Sequence, residues 1–391
     1  MMQGAESKIK KDKISVTAFF FGMFIIFAFT CNNMFFGITE YYYLPILLIF
    51  FGGIYLLNKK MTIGIEHYCS LAILLILLMN LFLYNTDLNR GVHFSYILFI
   101  VMFIVTTLKK FNKGEIRFLM NCYILSAVII SLMIILFSQE FNDWIGSSRY
   151  TIKSLGNVYI DPNFLAAFIN IPVIISINRL LASKNRKYVY LILIIIIASA
   201  VLLTGSRAAV VALFLGSCLV ISCYSNRLFI IILLLPILGL IIYVFLPYDT
   251  INRMFINSYF DSSNAVRLLN WRFALKAFMQ KPFVGYGITE TSSFLNTMFG
   301  YKRAAHNTFL AFLVQFGILG SIPFFIIIMK IVLVTFKKDM RVLSGITVSV
   351  FFTSLMIEAN ISITLWVVII LLYLVNSYKK RNPEVDIKSI I

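Results

Sequence analysis

Long apolar runs recur down the whole chain, and short connections that carry lysine and arginine separate them. The runs fall at about 14–35, 42–57, 66–84, 92–108, 116–137, 163–181, 188–204, 207–224, 227–246, 307–336, 341–357 and 361–378. Each is close to the ~20 residues that cross a bilayer core. The second is short and the tenth long, so their ends are soft. Sixty per cent of residues are hydrophobic, 13% are charged and the mean hydropathy is +0.92. A soluble domain carries roughly a quarter charged residues. The solvent for most of this surface must therefore be lipid. Backbone groups in lipid must bond within the chain, so the spans are helices. The expected fold is all-α, a polytopic membrane protein with about twelve transmembrane helices. It reads as a single integral domain over 1–391.

Net charge is +18. Most positive residues fall in short loops, which is the pattern of topology signals rather than of a nucleic-acid surface. With the lysine-rich N-terminus inside, the inner loops hold Lys59 and Lys60; Lys109, Lys110, Lys113 and Arg117; Arg179, Lys184, Arg186 and Lys187; Arg227; and Lys337, Lys338 and Arg341. The tail with Lys379, Lys380 and Arg381 is inside as well. Both termini are thus expected in the cytoplasm of a cell with this chain in its inner membrane. Lys8, Lys10, Lys11 and Lys13 precede an apolar run without a convincing cleavage site, so that run reads as a retained first helix. The five cysteines have no ligand or disulfide spacing and read as buried thiols.

One segment departs from the pattern. Residues 247–306 are expected outside as one large loop between spans nine and ten, yet they carry Arg253, Arg267, Arg272, Lys276, Lys281, Lys302 and Arg303. Only Asp249, Asp261 and Glu290 oppose them. Positive charge outside runs against the topology rule, so an anionic ligand is the natural reason to keep it. Within the loop, Asn264–Gln280 reads as an amphipathic helix, with Arg267, Arg272 and Asn270 on its polar side. Pro282 and the Gly285-Tyr286-Gly287 turn end it.

The outer-facing polar residues are the candidates for chemistry. Thr204-Gly205-Ser206-Arg207 is a very short turn, and Arg207 offers a fork for phosphate unless it merely snorkels to headgroups. His306-Asn307 stands where the loop enters span ten, and a histidine can move a proton near neutral pH. An interfacial, structural histidine is the plainer alternative. His93, also outside, has no cationic cluster nearby, and His67 is expected inside. Asp161-Pro162-Asn163 opens span six either as a helix cap or as a hydroxyl-binding group. Glu358 and Asn360 occupy the last outer turn, where Glu358 could orient an arginine. Trp271 and Tyr286 could stack on sugar rings, though packing explains them as well. No Walker pattern exists, and Gly285-x-Gly287 lacks the strand of a dinucleotide site. Outer acidic residues are too few and scattered for a metal site.

These pieces, in this order, resemble the O-antigen ligase and polymerase superfamily of membrane glycosyltransferases. Leu203-Thr204-Gly205-Ser206-Arg207-Ala208-Ala209 is similar to the family's TGSRG-type outer turn, with Ala208 in place of the usual glycine. Arg267-x-x-x-Trp271 then precedes Pro282-x-x-Gly285-x-Gly287 in the large loop. Ala305-His306-Asn307-Thr308-Phe309-Leu310 is followed by Gly317-Ile318-Leu319-Gly320. Asp161-Pro162-Asn163-Phe164-Leu165-Ala166 is the weakest piece. The resemblance covers about 155–335.

The resemblance implies transfer of a glycan from a polyprenyl-pyrophosphate carrier to a hydroxyl of a glycan or lipid-linked acceptor. No nucleotide, metal or other cofactor is implied. His306, Arg207 and Arg267 take the catalytic positions. Arg272, Arg303, Asn307, Ser206, Asp161, Asn163 and Glu358 are expected to contact substrate. Polymerase and ligase are both family activities, and polymerase of a surface polysaccharide is the preferred reading. Flippase and chain-length regulator proteins are the expected protein partners, beside the lipid bilayer itself. A lipid-linked oligosaccharide transporter is the rival of another class. It would favour charge inside the spans, where only Lys330 stands out.

Overall fold

A helix with lipid around it must satisfy its backbone internally, and a computed structural model places helices on the apolar runs. The structure describes residues 14–31, 63–83, 90–142, 148–153, 159–183, 185–224, 262–288, 291–300, 304–358 and 362–391. In chain order these form α1 (Val16–Cys31), α2 (Ile65–Leu83), α3 (Arg90–Leu108) and α4 (Lys113–Phe137). A short antiparallel hairpin follows, β1 (Gln139–Asn142) with β2 (Ser148–Thr151). Then come α5 (Pro162–Ala182), α6 (Lys187–Leu203), α7 (Arg207–Ser222), α8 (Ser262–Gln280) and α9 (Thr291–Phe299). The chain closes with α10 (Thr308–Thr335), α11 (Val342–Met356) and α12 (Ile363–Arg381).

Among the described residues, α4, α5, α10 and α12 are long and apolar enough to cross a membrane, and six shorter apolar helices accompany them. The protein is thus an all-α integral membrane protein. The spans expected at 42–57 and 227–246 lie outside the described residues. The hairpin is an addition to the sequence expectation, because Gln139–Thr151 has too little alternation to read as paired strands.

Side-chain bonds fix how the helices run. Ser206 Oγ donates to Asn163 Oδ1 at 2.9 Å, Asn170 Nδ2 to the Ala209 carbonyl at 2.8 Å, and Tyr224 Oη to Asn178 Oδ1 at 2.5 Å. Residues rise together on both sides, so α5 and α7 are parallel. Across α7 and α11 the glycines meet: a Cβ on Gly216 would lie 2.7 Å from the Gly345 carbonyl oxygen, and one on Gly345 2.5 Å from that of Gly216. Gly216 also faces Ser349 while Gly345 faces Val220, so this pair is antiparallel. Thr308 Oγ1 donates to the Ile357 carbonyl at 2.8 Å, which brings the start of α10 to the end of α11. One end of the bundle therefore collects Asn163, Ser206, Thr308 and Ile357. The other collects Asn178, Tyr224 and the tail.

About a third of the way along, α10 breaks. Gly317 has φ +62, and residues 314–319 bond to 282–287 instead of continuing the helix. Tyr286 and Gly287 donate to the carbonyls of Val314 and Gln315 at 3.0 and 2.8 Å. Ile318 and Leu319 donate to those of Pro282 and Phe283 at 2.7 and 3.1 Å. Non-helical backbone survives at membrane depth only when its polar groups are met in this way. Tyr96 on α3 donates its hydroxyl to Gln315 Oε1 at 2.7 Å and braces the break from the far side.

The end away from Thr308 is held by charge. Lys113 and Arg117 of α4 and Arg179 of α5 donate to Ser389 Oγ and to the carbonyls of Ser389 and Ile391, which strap the tail down over buried Ile387 and Ile390. Lys109 is buried against Glu115 at 2.7 Å, and that burial pulls its ammonium below the usual lysine range. Lys330, the charge the sequence left inside a span, meets Glu66 of α2, which also accepts from Tyr373 Oη at 2.5 Å. His67 beside it lies against Thr107 at 3.1 Å. Removing one partner of such a pair strands the other in a low dielectric. Glu66→Ala should therefore lower stability by about 3–5 kcal/mol, and Glu66→Leu with Lys330→Met should recover most of it. Thermal unfolding in detergent reads both. Equal losses in the single and double variants would mean that the ion pair does not hold α2 to α10.

Candidate functional site

The end that collects Asn163 and Thr308 is where helices begin. α5, α7 and α10 all start there, and α12 starts just after α11 finishes. Each presents N–H groups that have no partner within the helix, and the positive end of its dipole. An anion is favoured at such an end before any side chain is counted.

The turn between α6 and α7 is built for close approach. Gly205 reverses the chain at φ +63, which a side chain resists. Thr204 Oγ1 bonds back to the Val201 carbonyl at 2.6 Å, leaving Ser206 buried with its hydroxyl spent on Asn163. Arg207 is then the first residue of α7, half-buried at the site end. Asp161 caps α5 by accepting from Asn163 N at 2.7 Å, so its capping reading holds.

A second group lies at the same end, on the loop side. Asn307 caps α10, accepting from Phe309 and Leu310 N–H at 3.0 and 3.1 Å. His306 just before it is half-buried with φ +47, a left-handed conformation that costs a non-glycine residue roughly 1–2 kcal/mol. Its neighbours hold it there. Trp271 Nε1 of α8 points at the His306 carbonyl at 3.5 Å. Thr291, buried at the start of α9, accepts from the Ala305 N–H at 3.0 Å and donates to Glu358 Oε2 at 2.5 Å. Glu358, the segment before His306 and the start of α9 are thereby one unit. Strain of this kind, held by surrounding bonds, is what functional sites store.

Of the expected site residues, Asp161, Asn163, Ser206, Arg207, His306, Asn307 and Glu358 lie at this one end. Arg267 is half-buried and Arg272 exposed on α8. Arg303 lies outside the described residues. Asn270, expected on the polar side with the arginines, is instead fully buried, toward Ala274 and Ala277. Leu268, Leu275 and Met279 are exposed on the opposite side, so polarity does not predict which side of this helix points in. His93 is also buried, with neither ring nitrogen bonded to a described residue. Thr291 went unnoticed in the sequence. The only signal for it was a hydroxyl residue opening a short helix. Among the described residues, no cluster of His, Cys, Asp or Glu has the grouping of metal ligands.

Residues 191–325 match the family model described as O-Antigen ligase. The chain carries a domain of the O-antigen ligase and polymerase superfamily. No curated protein matches the chain. The O-antigen ligase domain takes in most of α6, all of α7, α8 and α9, and α10 beyond its break. Arg207, Arg267, Arg272 and His306 fall inside it. Asp161, Asn163 and Glu358 fall outside it, and join it through Ser206 and Thr291.

Proposed function

We propose that this protein polymerises polyprenyl-pyrophosphate-linked oligosaccharide repeat units into a surface polysaccharide, with the His306 end outside the cytoplasmic membrane. The observation that carries the reading is that an arginine turn and a strained histidine lie at the same end of the bundle, where α5, α7 and α10 begin. A lipid pyrophosphate would lie with its charge toward these N-termini and toward Arg207, Arg267 and Arg272. In the transfer, an acceptor hydroxyl oxygen bonds to the anomeric carbon as the bond from that carbon to the pyrophosphate oxygen breaks. The hydroxyl proton goes to the His306 imidazole, and the electron pair leaves with the pyrophosphate. Arg207 and Arg267 stabilise the charge that grows there, in the role a metal ion takes elsewhere. Direct attack inverts the anomeric centre. Ser206 and Asn163 hold the arginine turn, while Thr291 and Glu358 hold the histidine.

The family model's description names a ligase, and transfer to lipid A core or another acceptor is the competing reading. Flippase and chain-length regulator proteins would supply and measure the chain in either case. The test is purified protein in detergent with a polyprenyl-pyrophosphate oligosaccharide, a chelator and no nucleotide. A ladder of longer lipid-linked products is the expected result. Transfer only after a distinct acceptor is added would make it a ligase. No transfer to any acceptor, with lipid-linked oligosaccharide moved across vesicles instead, would replace both with a transporter.

A further inference from the structure

We infer that Lys276, Gln280, Lys281 and Tyr286 form a remote subsite that binds an acidic sugar of the glycan, apart from the arginines and His306 at the reacting end. The inference takes its glycan ligand from the transferase reading, but its test reads binding alone.

The loop carries more positive charge than a leaving pyrophosphate needs. Residues 247–306 hold seven cations against three acids. The described residues of that stretch include Arg267, Arg272, Lys276 and Lys281 and no Asp or Glu. Arg267 and Arg272 answer to the pyrophosphate in the proposed reaction. Lys276 lies four residues beyond Arg272, or about 6 Å along the helix axis, and Lys281 follows the last residue of α8. These two are left for another group of the substrate.

The four side chains are gathered and held. Lys276, Gln280 and Lys281 are exposed, and Tyr286 is half-buried. Lys276 and Gln280 stand one turn apart on the same side of α8. Tyr286 Oη donates to Gln280 Oε1 at 3.0 Å, which leaves the Gln280 amide N–H groups to donate to a ligand. Lys281 Nζ lies 4.6 Å from the centre of the Tyr286 ring, and Lys276 Nζ 5.7 Å from that of Phe273. The turn that carries Tyr286 is bonded through its backbone to α10 on both sides of Gly317. Groups fixed in advance lose less entropy when a ligand arrives.

Their chemistry selects an anion that also carries hydroxyls. Two ammonium groups favour a carboxylate, while an amide and a phenol serve sugar hydroxyls. A sugar acid presents both on one ring. A neutral sugar would leave the cations unused, and a phospholipid phosphate would leave the amide and the phenol without a role. Arg272 joins the subsite to the reacting end, because it follows Trp271, whose indole points at the His306 carbonyl. A glycan with one end at His306 and an acidic sugar at Lys276 and Lys281 would lie along α8.

The test is equilibrium dialysis of the full chain in detergent against hexagalacturonate and against maltohexaose, neither linked to lipid. Hexagalacturonate should bind saturably, and maltohexaose at least about tenfold more weakly. Lys276→Gln with Lys281→Gln should weaken hexagalacturonate by about tenfold, the effect of losing two exposed charge pairs. Its unfolding midpoint should not move, since both lysines are exposed. Lys337→Gln with Lys338→Gln removes the same charge from the other end of the bundle and should leave binding unchanged. Equal losses in the two double variants would reduce the effect to net charge and overturn the subsite. Unchanged binding in the Lys276 and Lys281 variant would overturn it as well, and a drop in copurifying anionic phospholipid there would give the cations to headgroups instead. Native protein that binds hexagalacturonate yet forms no product ladder would keep the subsite and remove the transferase reading.

Discussion

Gly317→Ala should leave little folded protein, and Gly285→Ala should do nearly the same. A Cβ at Gly317 would lie 2.4 Å from the Phe283 carbonyl, and one at Gly285 2.5 Å from the Gln315 oxygen. Both glycines also have left-handed backbone, at φ +62 and +69. Strain alone costs about 1–2 kcal/mol for a side chain there. The clash is with backbone, which cannot swing away as a side-chain tip does. Either the strand separates from the break or the break shifts. Both outcomes unmake bonds at a depth where no water replaces them, each worth several kcal/mol. Gly300 supplies the control, because it has φ +64 with nothing within 4 Å of its absent Cβ. Gly300→Ala should cost only the strain. Unfolding midpoints and monodispersity in detergent would separate the two terms. If Gly285→Ala and Gly300→Ala lose equal stability, the seam between the turn and α10 is looser than described.

The spans read well from the sequence because apolar length is itself the physical determinant of a transmembrane helix. The expected 163–181 became Pro162–Ala182, and 341–357 became Val342–Met356. The break in α10 did not read, although both its glycine motifs were visible. Its bonds join residues 28 and 36 positions apart, and nothing in 282–287 alone names 314–319 as the partner. The turn chemistry was legible and its depth was not. Asn270 failed for a related reason. Taking polar as outward fails on α8, where Leu268, Leu275 and Met279 are exposed and Asn270 is buried. At the site, alternation of spans was enough to put Asn163, Ser206, His306 and Glu358 on one face. Their bonds through Thr291 and Ser206 depend on side-chain geometry that spacing does not encode.

Those bonds make the largest expected effect on activity one that can be separated from folding. His306→Ala should lower the transfer rate by about 10²–10⁴-fold, the usual contribution of a positioned proton acceptor. Alanine at φ +47 keeps the backbone strain, so a loss of activity there could be blamed on a shifted turn. His306→Asn and His306→Gly remove that ambiguity. Asparagine tolerates the left-handed region and glycine is indifferent to it, so both should be at least as stable as the native protein. The glycine variant should gain up to about 1 kcal/mol in unfolding. Asparagine cannot take the acceptor proton, so both variants should be as inactive as His306→Ala. Arg207→Ala should cost about 10²–10³-fold for a different reason, the loss of charge stabilisation on the leaving group. A stable His306→Asn protein that still elongates its lipid-linked substrate would take His306 out of the chemistry. The strained turn would then be a structural device, and the arginines with the helix N-termini would have to account for the rate alone.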